Sequence, residues 1–227
     1  MPCKSPKDSS ASPIRNCMRN IKLTLEYDGT NYCGWQIQNH KVNRLRRRHK
    51  KSIQETIEKV LSKILNENIR LVVSGRTDAG VHALGQVANF KTSSGIALEK
   101  LRLALNGLLP GDIVISKAEE VSLHFHSRFD ARAKVYRYII LNRSYPASLL
   151  KKRVYFYPYP LHIGLMRQEA RVLSGRHDFA AFCASGSSVK DTTRTIKRIT
   201  IKKTTFGQGP LGYGISGNPL LVIEIEA

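Results

Sequence analysis

Asp78 follows Arg76 by two residues in the run Ser74-Gly-Arg-Thr-Asp-Ala-Gly-Val-His-Ala83, with Gly75 and Gly80 on either side of the pair. Glycine permits backbone conformations that a Cβ forbids, so such a turn brings a ligand close to the main chain with Asp78 at its tip. A nearby guanidinium favours the ionised carboxylate, and its planar fork of donors suits a phosphate or a base edge. The pair describes a carboxylate nucleophile directed at a polyanion. A bare Asp-x-Gly turn is more often structural; the length of this run gives it meaning.

The elements that must hold this turn alternate between strand and helix. Ile21, Leu23, Leu25 and Tyr27 share one strand face while Lys22, Thr24 and Glu26 share the other, the period-two pattern of a half-buried sheet. Ser52 and Glu55 are spaced as a capping box, after which Ile53, Ile57, Val60, Leu61, Ile64 and Leu65 form one helical stripe. Residues 70–74 read as a strand delivering the aspartate turn and residues 85–91 as the strand leaving it. Leu98, Leu101, Leu105 and Leu108 mark a second helix, expected to end at Asn106-Gly107 and Pro110 before a short strand over residues 113–116. Residues 134–141 read as a strand. A third helix has Ile163, Met166, Ala170 and Leu173 inward and Gly175 placed to cap it. Strands over residues 195–203 and 220–226 complete the pattern. The expected class is α+β: two similar α/β units forming a mixed, largely antiparallel sheet with flanking helices and a central basic cleft. The expected division is a disordered tail over residues 1–20, an N-terminal unit over 21–118 with the aspartate loop, and a C-terminal unit over 119–227.

Composition narrows the partners. The 227 residues carry 37 Lys and Arg against 17 Asp and Glu, a formal charge of +20. Nucleic acid is the first candidate for such a balance, and a merely solvated basic surface the second. No apolar run reaches the roughly eighteen residues of a membrane span. Cys3, Cys17, Cys33 and Cys183 show no CxxC spacing, so neither a zinc site nor a disulfide framework is suggested and a reducing cytoplasm fits. The first twenty residues lack the apolar segment of a secretory signal; an organelle transit peptide stays open.

The ten-residue run resembles the catalytic motif of the TruA family of tRNA pseudouridine synthases. Leu25-Glu-Tyr-Asp-Gly-Thr30, Gly34-Trp-Gln36, Ser52-Ile-Gln54, Phe125-His-Ser-Arg-Phe-Asp-Ala-Arg132 and Tyr136-Arg-Tyr138 resemble further family motifs, so the likeness extends from Ile21 to the last residue. The resemblance implies the same two-unit fold, a homodimer, and isomerisation of uridine to pseudouridine in tRNA at or near positions 38 to 40. That reaction breaks the N1–ribose bond, turns the uracil and rebuilds the link through C5 without net redox change, so no cofactor and no metal is required. Asp78 is the implied nucleophile; attack at the sugar, attack at the base and removal of a sugar proton all stay open. The target base must leave its stack, and the family motif assigns Arg76 to hold the flipped nucleotide and Tyr136 to pack against the uracil.

The basic run Arg44-Leu-Arg-Arg-Arg-His-Lys-Lys51 looks like an insertion relative to the family. Arg46, Arg47, Arg48 and Lys50 are candidates for gripping the tRNA arm, although a solvated charge run explains them nearly as well. Arg132, with Arg128, Lys134 and Arg137, forms a second candidate track that strand alternation would divide between faces. Family members continue from a strand like Leu221-Val-Ile-Glu-Ile-Glu-Ala227 into a Gly-Phe-Leu-Tyr-x-Met-Val-Arg motif and a long helix. The C-terminal unit is therefore expected to be incomplete, with an apolar face uncovered on the final strand. The alternative reading is a catalytically impaired RNA-binding fragment of such an enzyme.

Three other features carry little. His124 and His126 share a strand spacing but lack completing metal ligands. The glycine-rich segment 207–214 lacks the Lys-Ser/Thr of a phosphate loop, and Ser185-Gly-Ser-Ser188 has no adjacent acid–base pair.

Overall fold

The computed structural model describes residues 18–37, 50–183, 191–205 and 219–227. The chain divides into two compact units, Met1–Asp130 and Ala131–Ala227.

In the first unit the strand β1 (Arg19–Tyr27) is central. The alternation read from its residues is observed, with Ile21, Leu23, Leu25 and Tyr27 all buried. The helix α1 (Ile53–Leu65) starts where Ser52 Oγ accepts from the Glu55 N–H at 3.0 Å, so one half of the capping box forms. It ends at Asn66, whose φ of 53° is a left-handed conformation that asparagine adopts more readily than most residues. Ile53, Ile57, Leu61 and Leu65 are buried, and Val60 and Ile64 pack against the same core. The strands β2 (Val72–Val73) and β3 (Ala83–Thr92), the helix α2 (Leu98–Leu108) and the strand β4 (Ile113–Val121) complete the unit. The sheet order is β2-β3-β1-β4, all antiparallel. Leu101 and Leu105 of α2 join Trp35, Phe90, Ile113 and Ile115 in one core.

The helix α2 runs through Asn106-Gly107, where the sequence suggested a stop. Asn106 is recruited by β4 instead: its amide donates to Ile115 O at 3.0 Å and accepts from Ile115 N at 2.8 Å. The helix then ends ahead of Pro110, whose ring restricts the preceding residue to extended backbone. The strand β4 is also longer than expected.

Two buried polar clusters shape the connections. The Glu58 carboxylate on α1 accepts from Leu71 N at 2.8 Å and Gln54 Nε2 at 2.7 Å, with Arg70 at 3.4 Å; it thereby anchors the segment that enters β2. Removing it in Glu58→Ala leaves a buried N–H without its acceptor and is expected to cost about 1–3 kcal/mol, read as a lower midpoint in urea unfolding. Asn20 and Asn89 hold the segment after β4: Asn89 Oδ1 accepts from Ser127 N and Oγ, and Asn20 Nδ2 donates to the Ser122 and Phe125 carbonyls.

The second unit contains β5 (Val135–Asn142), β6 (Tyr155–Tyr157), the helix α3 (Ile163–Ala170), β7 (Gly175–Asp178), β8 (Thr193–Ile196), β9 (Arg198–Thr205) and β10 (Pro219–Glu226). Its main sheet has the order β6-β5-β10-β9, and β7 pairs with β8 separately. The β5–β6 pairing is parallel and the rest are antiparallel. This is the mixed, largely antiparallel α+β pattern expected. The residues Ile163, Met166 and Ala170 of α3 pack on Ile140, Ile201 and Leu221. Gly175, with φ of 103°, opens β7 rather than capping α3, because a short 3-10 turn over Arg171–Leu173 intervenes. The single strand expected over residues 195–203 is broken at Lys197, whose N–H donates to Glu226 O at 2.8 Å; β8 turns to β7 while β9 pairs with β10. Every residue of β10 whose burial is described is buried or half-buried; the exposed apolar residues of this sheet include Val135, Tyr136 and Tyr138 on β5 and Tyr155 on β6.

Candidate active-site loop

The chain leaves the sheet after β2 and returns at β3, and Asp78 lies on the excursion. Ser74 N donates to Val87 O at 2.9 Å, extending the ladder to the base of the loop, and Val81 N donates to Asp78 O at 3.2 Å, closing the turn. Gly80 has φ of +82°, a left-handed conformation that glycine adopts without strain. The side chains of Asp78 and Arg76 are both exposed. No ion pair joins them among the described residues. Arg76 and Asp78 thus share one exposed loop without an ion pair between them.

The loop is braced by residues 27–35. Thr77 is held at both ends: its carbonyl accepts from Trp35 N at 2.9 Å, and its Oγ1 lies 2.8 Å from the Tyr27 hydroxyl. Gly34 and Gly29 make the close approach possible. A Cβ at Gly34 would lie 2.7 Å from Thr77 O, and one at Gly29 would lie 2.0 Å from Val81 O. Behind the loop, Gln86 Nε2 donates to Gly75 O at 2.8 Å and to Tyr27 OH at 3.3 Å, while its Oε1 accepts from Ser74 Oγ at 2.8 Å and Val87 N at 3.2 Å. On the other side, His82 Nδ1 lies 3.0 Å from Asp28 Oδ1, and Asp28 in turn accepts from Thr30 N at 3.0 Å. Tyr32 OH donates to Asp112 at 2.5 Å, pinning the same turn to the start of β4.

Of the other residues singled out by the sequence, Lys50 donates from Nζ to Thr30 O at 3.3 Å in the first unit. Tyr136 lies on β5 of the second unit and is 59% exposed. Arg132 in that unit has an exposed side chain, and its carbonyl accepts from Lys197 Nζ at 2.8 Å. Arg137 is bound by Glu224 at 2.6 Å, across the sheet face opposite Tyr136. Arg46, Arg47 and Arg48, the glycine-rich segment 207–214 and residues 185–188 lie outside the described residues. His126 accepts the backbone N–H groups of Arg128 and Phe129 and stacks on the Phe129 ring at 4.2 Å, a structural role. Among the described residues no cluster of His, Cys, Asp and Glu is arranged to hold a metal ion, and no helix is long and apolar enough to cross a membrane. A cavity of about 360 Å³ lies in the second unit between α3 and β9, lined by Arg167, Arg171, Ser174, Thr200 and Lys202 among others; it includes none of the site residues expected from sequence.

Tyr27, Thr77 and Gln86 were not singled out from sequence as functional. The available signal was a tyrosine closing an otherwise aliphatic strand face, followed directly by Asp-Gly, since a buried phenol oxygen needs a partner.

An α+β scaffold with an exposed aspartate on a braced loop is what the fold and the site define. The sequence profile of a family described as tRNA pseudouridine synthase matches residues 24–130 and 170–227. The tRNA pseudouridine synthase A of Acetivibrio thermocellus is 45% identical over 186 residues, covering 82% of this chain and 72% of the relative. The protein of the same name from Caldicellulosiruptor bescii is 47% identical over 204 residues, covering 90% of this chain and 79% of the relative. The chain belongs to the tRNA pseudouridine synthase family, a family of isomerases.

Proposed function

We propose that this chain isomerises uridine to pseudouridine in the anticodon stem-loop of tRNA, at positions 38 to 40, with Asp78 as the nucleophile. The exposure of Asp78 at the tip of a loop braced by main-chain contacts carries this reading. An ionised carboxylate there reaches a nucleotide that has left its helix, as chemistry on a stacked base demands. Arg76, unpaired with Asp78, is available to hold the extruded nucleotide, and Tyr136 to cover the uracil. The glycosidic N1–C1′ bond breaks, the uracil rotates, and C5 bonds to C1′; the hydrogen leaving C5 is balanced by the one gained at N1, so substrate and product are isomers.

The charge of +20 supports a polyanionic substrate. In this reading residues 21–118 supply the aspartate and residues 119–227 the tyrosine, the insertion 41–51 and Arg132 contact the tRNA backbone, and two copies of the chain act together in the cytoplasm. The test is to incubate the purified chain with an unmodified tRNA transcript, without added metal or nucleotide, and to map pseudouridine. A product within the anticodon arm is expected. Product elsewhere overturns the position, and tRNA binding without any product leaves an RNA-binding protein instead. Sedimentation of the purified chain tests the dimer.

A further inference from the structure

The Tyr27 ring sits in the core at 4% exposure, 6.1 Å from the Trp35 ring. Phenylalanine would fill that space equally well. The hydroxyl is the part of the side chain that reaches the aspartate loop, and burying a phenol oxygen is costly unless it is bonded. Burial also raises the Tyr27 pKa above its ordinary value, so the hydroxyl keeps its proton at neutral pH.

The direction of that proton follows from Gln86. Val87 N can only donate and Gly75 O can only accept, so the two contacts fix which end of the Gln86 amide is oxygen and which is nitrogen. The nitrogen end faces Tyr27, whose oxygen accepts from Gln86; the buried hydroxyl hydrogen would go unbonded unless it is given to Thr77 Oγ1, the one acceptor within reach among the described residues. Thr77 is then fixed by two bonds, one at its side chain from Tyr27 and one at its carbonyl from Trp35. Asp78 is the next residue, and its own side chain has no hydrogen-bond partner among the described residues. The main chain that carries the carboxylate is thus held on one side by Thr77 and on the other by the bond from Val81 N to Asp78 O.

We propose that Tyr27, through its hydroxyl, is a positioning residue that acts through Thr77 to place the main chain at Asp78. This rests on Asp78 performing the chemistry. A shift of about 1 Å in a reacting group costs on the order of 100-fold in rate, so the absence of one hydroxyl in the core should be read out at the loop tip.

The experiment compares Tyr27→Phe, Thr77→Val, Thr77→Ser and the double variant Tyr27→Phe/Thr77→Val in pseudouridine formation on a tRNA transcript, with Asp78→Ala alongside. Tyr27→Phe and Thr77→Val are each expected to lower kcat about 10- to 100-fold, with KM and tRNA affinity within about twofold, because substrate binding does not pass through this bond. Thr77→Ser keeps the acceptor oxygen and is expected to retain parental kcat. The double variant should be no slower than the worse single one, since both remove the same link. Parental kcat in Tyr27→Phe, a rise in KM in place of the fall in kcat, or multiplied losses in the double variant would each overturn the proposal. If Tyr27→Phe does not fold, Thr77→Val against Thr77→Ser decides the matter at a partly exposed loop position. Full activity of Asp78→Ala would instead remove the functional reading itself, so the two failures are distinguishable.

Discussion

Asp78→Asn is expected to abolish pseudouridine formation while leaving the fold and tRNA affinity in place. Asparagine matches aspartate in size but carries no charge, and its amide oxygen is a far weaker nucleophile and base. A rate fall of more than about 10⁴-fold is expected for removal of a group that bonds to, or takes a proton from, the reacting nucleotide. Stability should change by less than about 0.5 kcal/mol, as for other exposed substitutions; the Asp78 side chain is exposed and has no ion pair among the described residues. Binding should hold or tighten slightly, because one negative charge facing phosphates has gone. Product mapping over a time course, a tRNA titration and a thermal melt separate the three effects. Near-parental turnover would move the chemistry away from this loop. Loss of turnover and melting stability together would make Asp78 a structural turn residue.

Elements whose patterns repeat over several turns or pleats were legible in the sequence. The apolar stripe from Ile53 to Leu65 and the alternation from Ile21 to Tyr27 report burial directly, because each face meets the same core along its length. Ends and breaks were less legible. Asn106 looked like a helix stop because asparagine commonly is one, yet a β4 backbone pair outcompetes the cap. The break at Lys197 follows from a bond to Glu226, a residue far along the chain that no local pattern registers. The strand β6 is three residues long and pairs in parallel with β5, too short for alternation to show.

The site divides along the same line. Asp78 and Arg76 are neighbours in sequence, so their place on one glycine-bracketed loop was readable. Among the described residues no ion pair joins them; two exposed, solvated charges gain little from closing one. What holds the loop comes from residues some fifty positions away, Tyr27 to Thr77 and Gly29 to Val81. Sequence shows those residues as motifs but not as contacts, since a close backbone approach leaves no periodicity behind.

A Cβ at position 29 would place an atom where the backbone of the aspartate loop already is, so Gly29→Ala is expected to be the most damaging single methyl in this part of the molecule. It would lie 2.0 Å from Val81 O and 2.8 Å from Val81 C, with no flexible side chain in between to yield. The main chain of one segment must move by about 1 Å, a misplacement that costs on the order of 100-fold in rate, with stability falling by about 1–3 kcal/mol as in other overpacked sites. Gly34→Ala combines a 2.7 Å clash against Thr77 O with a φ of +101° and should behave similarly. Gly80→Ala has open space around it but φ of +82°, so only the conformational strain of about 1–2 kcal/mol applies. Gly85→Ala has neither clash nor positive φ and should stay within about 0.5 kcal/mol of the parent. Urea unfolding and turnover measured on all four variants test the ordering. If Gly29→Ala matches Gly85→Ala in both, the segment before Trp35 does not brace the loop, and Asp78 must owe its position to the sheet strands alone.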